Sequence, residues 1–184
     1  MSDTWTKTTI GEFAPFAYGK SLPERRRDAD GAVAVYGSAG IVGVHTAALL
    51  TGPTIIIGRK GSIGLVHWSS GPCWPIDTTF YVEAAEHRDL RFTFYLLRSL
   101  GLTSMNSDSA IPGLNRDAAH RLLVQVPPLE EQAAIGDYLG RLDDRMEINI
   151  QMNRTLASLR DRLAGPLLAG ELSPTEVVDR LVEA

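Results

Sequence analysis

The sequence is short of nearly everything that announces an enzyme or a membrane protein. It holds one cysteine, Cys73, in 184 residues, which excludes an internal disulfide and a multi-cysteine zinc site. Its histidines, His45, His67, His87 and His120, lack the close spacing of a metal-ligand pair. No apolar run approaches the roughly 18 residues that cross a bilayer. The opening MSDTWTKTTIGEF lacks the apolar stretch of a secretory signal, so a cytoplasmic protein is expected. Nucleotide-loop spacings are missing as well. Residues 37–43, GSAGIVG, are spaced GxxGxxG, and in GPTIIIGRKGS the glycines bracket a strand-like run instead of forming GxxxxGK[ST]. With 18 Lys and Arg against 22 Asp and Glu, the net charge of −4 argues against a polybasic membrane binder.

What is present is an ordinary globular composition, 44% hydrophobic and 22% charged, with an uneven charge distribution. Residues 1–127 carry 12 Lys and Arg against 11 Asp and Glu, whereas residues 128–184 carry 6 against 11. Local clusters in the near-neutral part can still grip phosphate, because potential is screened over a Debye length of about 8 Å. The residue pattern changes at the same place. Up to residue 127 there are strand-length runs at 33–36 (VAVY), 54–57 (TIII), 63–68 (IGLVHW), 76–82 (IDTTFYV) and 122–126 (LLVQV), separated by Gly, Ser and Pro turn signals. One helix is expected at 89–102, with Leu90, Phe94, Leu97 and Leu100 on one face. The fold class is therefore α+β, with a mainly β body over 1–127.

After Pro127-Pro128 the pattern turns helical for about forty residues, with Glu130 and Glu131 placed to favour the positive end of the helix dipole. Ile135, Leu139, Leu142, Met146, Asn149, Asn153 and Leu156 step by alternating fours and threes, a heptad seam that resumes at Leu163 and Leu167 after Arg160. A helix over 128–168 would reach roughly 50 to 60 Å at about 1.5 Å per residue, longer than the ~35 Å globule expected of the body. An overhanging apolar seam needs another helix, and a second copy of the chain supplies one. Paired amides from Asn149 and Asn153 would fix its register. The other reading is that Gly136, Gly140 or a kink folds the segment back onto the body. Ser173-Pro174-Thr175-Glu176 then reads as the cap of a short helical segment within 169–184.

Chemistry is scarce. His67, Cys73 and Asp77 can be set down as a thiol-nucleophile group, but a cysteine between Pro72 and Trp74 also packs as a small hydrophobe. No catalytic residue, metal ligand or cofactor site is expected. A binding surface fits the residues better. Lys20, Arg25, Arg26 and Arg27, with Arg59, Lys60, Gly61 and Ser62, offer cations, a hydroxyl and glycine-exposed amides of the kind that contact phosphate oxygens. Tyr18, Tyr36, Ser38, His45, Trp68, Asn106, Ser107 and Asn115 offer groups that hydrogen-bond or stack on bases.

The succession VAVYGSAGIVG, GPTIIIGRKGSIG, SAIPGLNR and VPPLEEQAAIGDYLGRLDDRMEINIQMNRTL resembles the DNA specificity subunits of type I restriction-modification systems, over about residues 5–168. The resemblance implies a non-catalytic subunit that selects double-stranded DNA, while separate methyltransferase subunits use S-adenosylmethionine and motor-nuclease subunits use ATP. It also implies two recognition domains and two long antiparallel helices per full subunit, whereas this sequence holds one set. Two copies would then imitate one complete subunit and read an interrupted palindrome. By the same resemblance Arg59, Lys60 and Ser62 lie in a DNA-facing loop, Tyr36, Gly37 and Ser38 in the segment before it, and Asn115 and Arg116 in SAIPGLNR. The acidic helix, with Asp137, Asp143, Asp144 and Glu147, would be where methyltransferase subunits dock. A stand-alone DNA-binding regulator or decoy, and an enzyme built on His67, Cys73 and Asp77, are the rival readings.

Overall fold

The β-branched runs separated by turns become strands, but more of them than the runs alone mark. In a computed structural model, which describes residues 5–105 and 113–175, the described residues run β1 (Thr6–Thr9), α1 (Ile10–Phe13), β2 (Ala17–Tyr18), a 3-10 turn (Glu24–Arg26), β3 (Val33–Gly37), β4 (Gly40–His45), β5 (Thr54–Gly58), β6 (Val66–Ser69), β7 (Cys73–Pro75), β8 (Thr79–Val82), α2 (Leu90–Ser99), a second 3-10 turn (Leu102–Ser104), α3 (Arg116–His120), β9 (Leu123–Val126) and α4 (Leu129–Leu168). This is the mixed, mainly β body followed by a long helix that the α+β reading expects. The remainder of the proposed C-terminal segment, from Glu176, lies outside the described residues.

The first unit runs through Leu139. Its centre is β5, buried along its whole length, which explains why its three isoleucines follow one another without a polar break: both faces of this strand are covered. It pairs antiparallel with β6 (Ile55↔Trp68, Ile57↔Val66) and with β8 (Ile55↔Val82, Ile57↔Phe80) in a sheet ordered β2-β8-β5-β6. Side chains alternate along a strand. Ile55 and Ile57 accordingly join Phe80, Val82, Phe92, Phe94 and Leu97 in the main core, while Ile56 turns to Tyr36 and Cys73. Those two belong to a sheet ordered β4-β3-β7, in which β3 and β7 run parallel. In α2 the Asp89 carboxylate caps the helix by accepting the Phe92 amide at 2.7 Å.

The strand β1 pairs with β9 from Thr6↔Val126 to Thr9↔Leu123, carrying the chain to Pro127-Pro128 and the start of α4. The compact unit continues past that proline pair. Gln132 is 3% exposed; its Nε2 donates to the Pro127 carbonyl at 2.9 Å and its Oε1 accepts the Asp89 amide at 3.0 Å. A Cβ on Gly136 would stand 2.8 Å from the Phe92 nitrogen, so only glycine lets α4 approach α2 this closely. Ile135 packs against the main core. It therefore leaves the heptad seam assigned to it above, because its own domain already covers it.

The second unit starts at Gly140. It is helical to Leu168 with Pro166 inside the last turn. Its large apolar residues are open: Leu142 49%, Met146 53%, Ile150 44%, Met152 56% and Leu156 54% exposed. Leu163 is half-buried. Among the described residues no helix is long and apolar enough to cross a membrane.

Candidate nucleic-acid interface

The GRKGSIG run is the turn between β5 and β6, and its glycines are structural. Gly61 and Gly64 adopt φ of +79° and +69°, a region that side-chain-bearing residues rarely occupy. At Gly64 a Cβ would also meet the Leu102 carbonyl carbon at 2.2 Å. The turn is closed by the Gly58 amide donating to Leu65 and the Gly64 amide to Gly58, both at 2.8 Å.

One backbone oxygen gathers the surrounding segments. The Thr78 carbonyl accepts the Arg59 amide at 2.9 Å, the Lys60 amide at 3.1 Å and the Ser38 hydroxyl at 2.5 Å. The Arg59 carbonyl accepts the Leu114 amide at 2.8 Å, and Lys60 bridges to Gly113. The loop before α3 is thus hydrogen-bonded to the GRKGS turn. Lys20 joins from the other side. Its amide donates to Pro75 at 3.0 Å and its carbonyl accepts the Trp74 indole at 2.8 Å, while the Gly19 amide donates to Thr79 at 3.1 Å.

Two guanidiniums meet here on one ring. The Arg59 guanidinium lies 5.2 Å from the Tyr18 ring centroid and 5.8 Å from that of Phe80, and Arg116 lies 5.1 Å from the same Tyr18 ring. Arg59 Nε is buried with no hydrogen-bond partner among the described residues. Arg116 also meets Asp117 at 3.4 Å. Lys20 and Lys60 are exposed and Tyr18 is half exposed. The half-exposed Tyr18 ring thus carries two guanidiniums, groups that donate charge-assisted hydrogen bonds to phosphate oxygens.

The remaining residues singled out by sequence have other places. Arg25 and Arg26 are exposed on the first 3-10 turn. Arg27 turns inward, its Nη1 donating to the Val42 carbonyl at 2.9 Å and its Nε to Leu22 at 3.3 Å, so its charge fastens β4. Tyr36, Gly37 and Ser38 are buried; the Tyr36 hydroxyl donates to Trp68 at 3.4 Å and the Ser38 hydroxyl to Thr78. They brace the turn from beneath and do not present side chains at the surface. Ser62 is half-buried. Asn115 is the N-cap of α3, its Oδ1 accepting the Ala118 amide at 3.0 Å. Asn106 and Ser107 lie outside the described residues. Sequence reading missed the Thr78 carbonyl and Gln132. No side-chain signal marks the first, whereas the second sits in the PPLEEQ run.

The thiol group is not arranged for chemistry. Cys73 is fully buried, and that burial pushes its thiol up, away from the thiolate a nucleophile needs. His67 Nε2 is 3.0 Å from the Ser38 carbonyl, and Asp77 is exposed. Among the described residues no cluster of three or more His, Cys, Asp or Glu could hold a metal ion.

A family model for the type I restriction modification DNA specificity domain matches residues 2–157. The chain is also similar to solved structures. One is the type I restriction-modification S subunit of M. genitalium, at 20% identity and a TM-score of 0.77, over 92% of this chain and 47% of that one. A second comes from work on the assembly and conformational transition of the type I R-M system, at 16% identity and a TM-score of 0.65, over 89% and 44%. A third is the HsdS subunit of Thermoanaerobacter tengcongensis, at 17% identity and a TM-score of 0.60, over 80% and 39%. The chain spans less than half the length of each. A search of curated proteins gives no match.

Proposed function

Because the chain belongs to the type I restriction-modification DNA specificity family, we propose that it is a non-catalytic subunit that reads double-stranded DNA through the surface around Tyr18 and the GRKGS turn. The observation that carries this reading is that Arg59 and Arg116 share the Tyr18 ring while the Thr78 carbonyl holds the amides of Arg59 and Lys60, with Lys60 exposed beside them in the GRKGS turn. Phosphate contacts of this kind position a protein on the duplex, and base specificity comes from neighbouring side chains.

In this reading two copies pair along α4 through the open seam of Leu142, Met146, Asn149, Asn153 and Leu156. The dimer reads an interrupted palindrome, each recognition domain taking one half-site. It directs methyltransferase subunits to that site, and motor-nuclease subunits where the system restricts. The setting is cytoplasmic, where chromosomal DNA and those subunits meet.

Methylation mapping of the source cells, with and without the gene, tests the proposal. The expected result is an interrupted palindromic methyladenine motif that disappears on deletion. A motif without two-fold symmetry refutes the paired reading. Persistence of every motif, together with a tagged chain that binds DNA but recovers no methyltransferase, returns the regulator or decoy reading.

A further inference from the structure

We propose that Ile41, presented by a bulge in β4, and Leu65, beside it in one cleft, read the C5 methyl of a thymine in the major groove. This rests on the DNA-reading proposal above and adds a residue pair and the base feature it recognises.

The hairpin of β3 and β4 is irregular where Ile41 stands. Val35 pairs with Gly43 and Tyr36 with Ile41, so Val42 is an extra residue without a strand partner. Its carbonyl is taken up by Arg27, whose Nη1 donates to it at 2.9 Å. Its side chain lies over Gly37, where a Cβ would stand 3.0 Å from Val42 Cγ1. A bulge of this kind bends a strand and re-aims the side chains beside it. Ile41 is left 63% exposed, and the Arg27 tie fastens the bulge that presents it.

Ile41 and Leu65 both line an open cleft of about 580 Å³, together with Trp68, Phe94 and Arg98. The hairpin meets β6 there: a Cβ on Gly40 would stand 3.7 Å from the His67 ring. Leu65 is 41% exposed, and the Trp68 and Phe94 rings lie 5.8 Å apart. Single exposed apolar residues are ordinary on a protein surface. Two that share a cleft with aromatic rings form a patch of the kind that marks a binding site.

Place and charge make the occupant DNA. Leu65 closes the turn that carries Arg59 and Lys60, its carbonyl accepting the Gly58 amide at 2.8 Å, and Ser38 of the hairpin is tied to the same Thr78 carbonyl as those two residues. The cleft thus continues the proposed phosphate-contacting surface. In a chain of net charge −4, no carboxylate lines this cleft among the described residues, whereas Glu83 lines the cleft at Thr54 and Glu12 the one at Gln132. Arg98 lies 5.3 Å from the Phe94 ring centroid and Arg91 lies 5.0 Å from that of Trp68. Seven residues apart on α2, they stand about two turns from each other on one side of that helix. Phosphates suit such a border. Inside it, the thymine methyl is the apolar group that base pairs offer in the major groove, the other base edges there being hydrogen-bond donors and acceptors.

Deoxyuridine tests this, because it differs from thymidine by that methyl alone. The full chain, with any methyltransferase it recovers, is titrated by fluorescence anisotropy onto duplexes carrying the mapped methylation site. Each thymine is replaced in turn by deoxyuridine, and the series is repeated with Ile41→Ala and Leu65→Ala. Both positions are exposed, and urea denaturation checks that the variants fold. The expected result is a thymine whose replacement weakens wild-type binding about fourfold, the worth of one buried methyl. That penalty should vanish in Ile41→Ala and shrink in Leu65→Ala. A series in which no replacement matters, or a penalty that Ile41→Ala retains, overturns the proposal and leaves the DNA reading in place. Loss of methyltransferase recovery in Ile41→Ala with unchanged DNA affinity overturns it in favour of a protein partner on this face. Equal wild-type affinity for the mapped site and an unrelated duplex refutes the DNA reading beneath it.

Discussion

If Lys60 contacts phosphate as proposed, replacing it by alanine removes that one contact without disturbing the loop that carries it. The Lys60 side chain is exposed, while its amide is held by the Thr78 carbonyl at 3.1 Å and its backbone bridges to Gly113. Losing an exposed side chain away from the packed core changes stability by no more than about 0.5 kcal/mol. The effect on DNA is larger and has a defined form. Each phosphate neutralised on a duplex contributes about 0.9 to the slope of log K against log salt, about 3.5-fold in affinity between roughly 50 and 200 mM. The proposed dimer on two half-sites would present Lys60 twice, so the slope should fall by about 1.8 and the wild-type advantage shrink about twelve-fold across the same range. Fluorescence anisotropy across a salt series, on the methylated site's sequence and on an unrelated duplex, reads this directly. The slope should fall equally on both duplexes. An unchanged slope removes Lys60 from the interface, and a loss confined to the specific duplex makes it a base reader.

Other outcomes follow from the same geometry. Asn115→Ala removes the α3 cap and should cost about 1 kcal/mol in urea denaturation; Asn115→Asp keeps an acceptor and should restore most of that stability. Gly64→Ala meets both a left-handed φ and the Leu102 backbone, so a loss of about 2 kcal/mol or more is expected; wild-type stability would contradict the assigned turn. His120 Nε2 accepts the Phe16 amide at 2.9 Å, which requires a neutral ring, and burial first and then Arg116 hold its pKa below the ordinary 6.5. Its depressed folded value means that stability is full above about 6.5 and is lost as pH falls through the lower value. The denaturation midpoint should therefore drop more between pH 7.5 and 5 in wild type than in His120→Gln, and equal drops would refute the assignment.

The parts legible in the sequence are those where one periodicity acts alone. TIII stands out because β5 is covered on both faces, and the helix at 89–102 because Leu90, Phe94 and Leu97 face one core. The structure trims that helix to Leu90–Ser99 and continues as a 3-10 turn after Gly101. β4 was hidden by its glycines, Gly40 and Gly43, and β7 by Pro72 and Pro75, which read as turn chemistry. The run at 63–68 begins in the turn, since Gly64 is left-handed, and only Val66 onward pairs. The candidate site was half legible. Arg59, Lys60 and Arg116 are conspicuous residues, but Arg59 and Lys60 are held by a main-chain oxygen and Arg116 reaches Arg59 only over the Tyr18 ring, and Asn115, Tyr36 and Ser38 hold structural posts that side-chain chemistry alone does not reveal.

The Thr78 oxygen has an evolutionary consequence. Because Arg59, Lys60 and Ser38 are tethered to it by two amides and one hydroxyl, the frame is indifferent to which side chain stands at the exposed position 60. In the proposed interface, DNA contacts can change by exchanging the exposed letter at 60 while the scaffold stays as it is. The peptide unit at position 78 contributes no side chain of its own, and any shift of it would unsettle Arg59, Lys60 and Ser38 together.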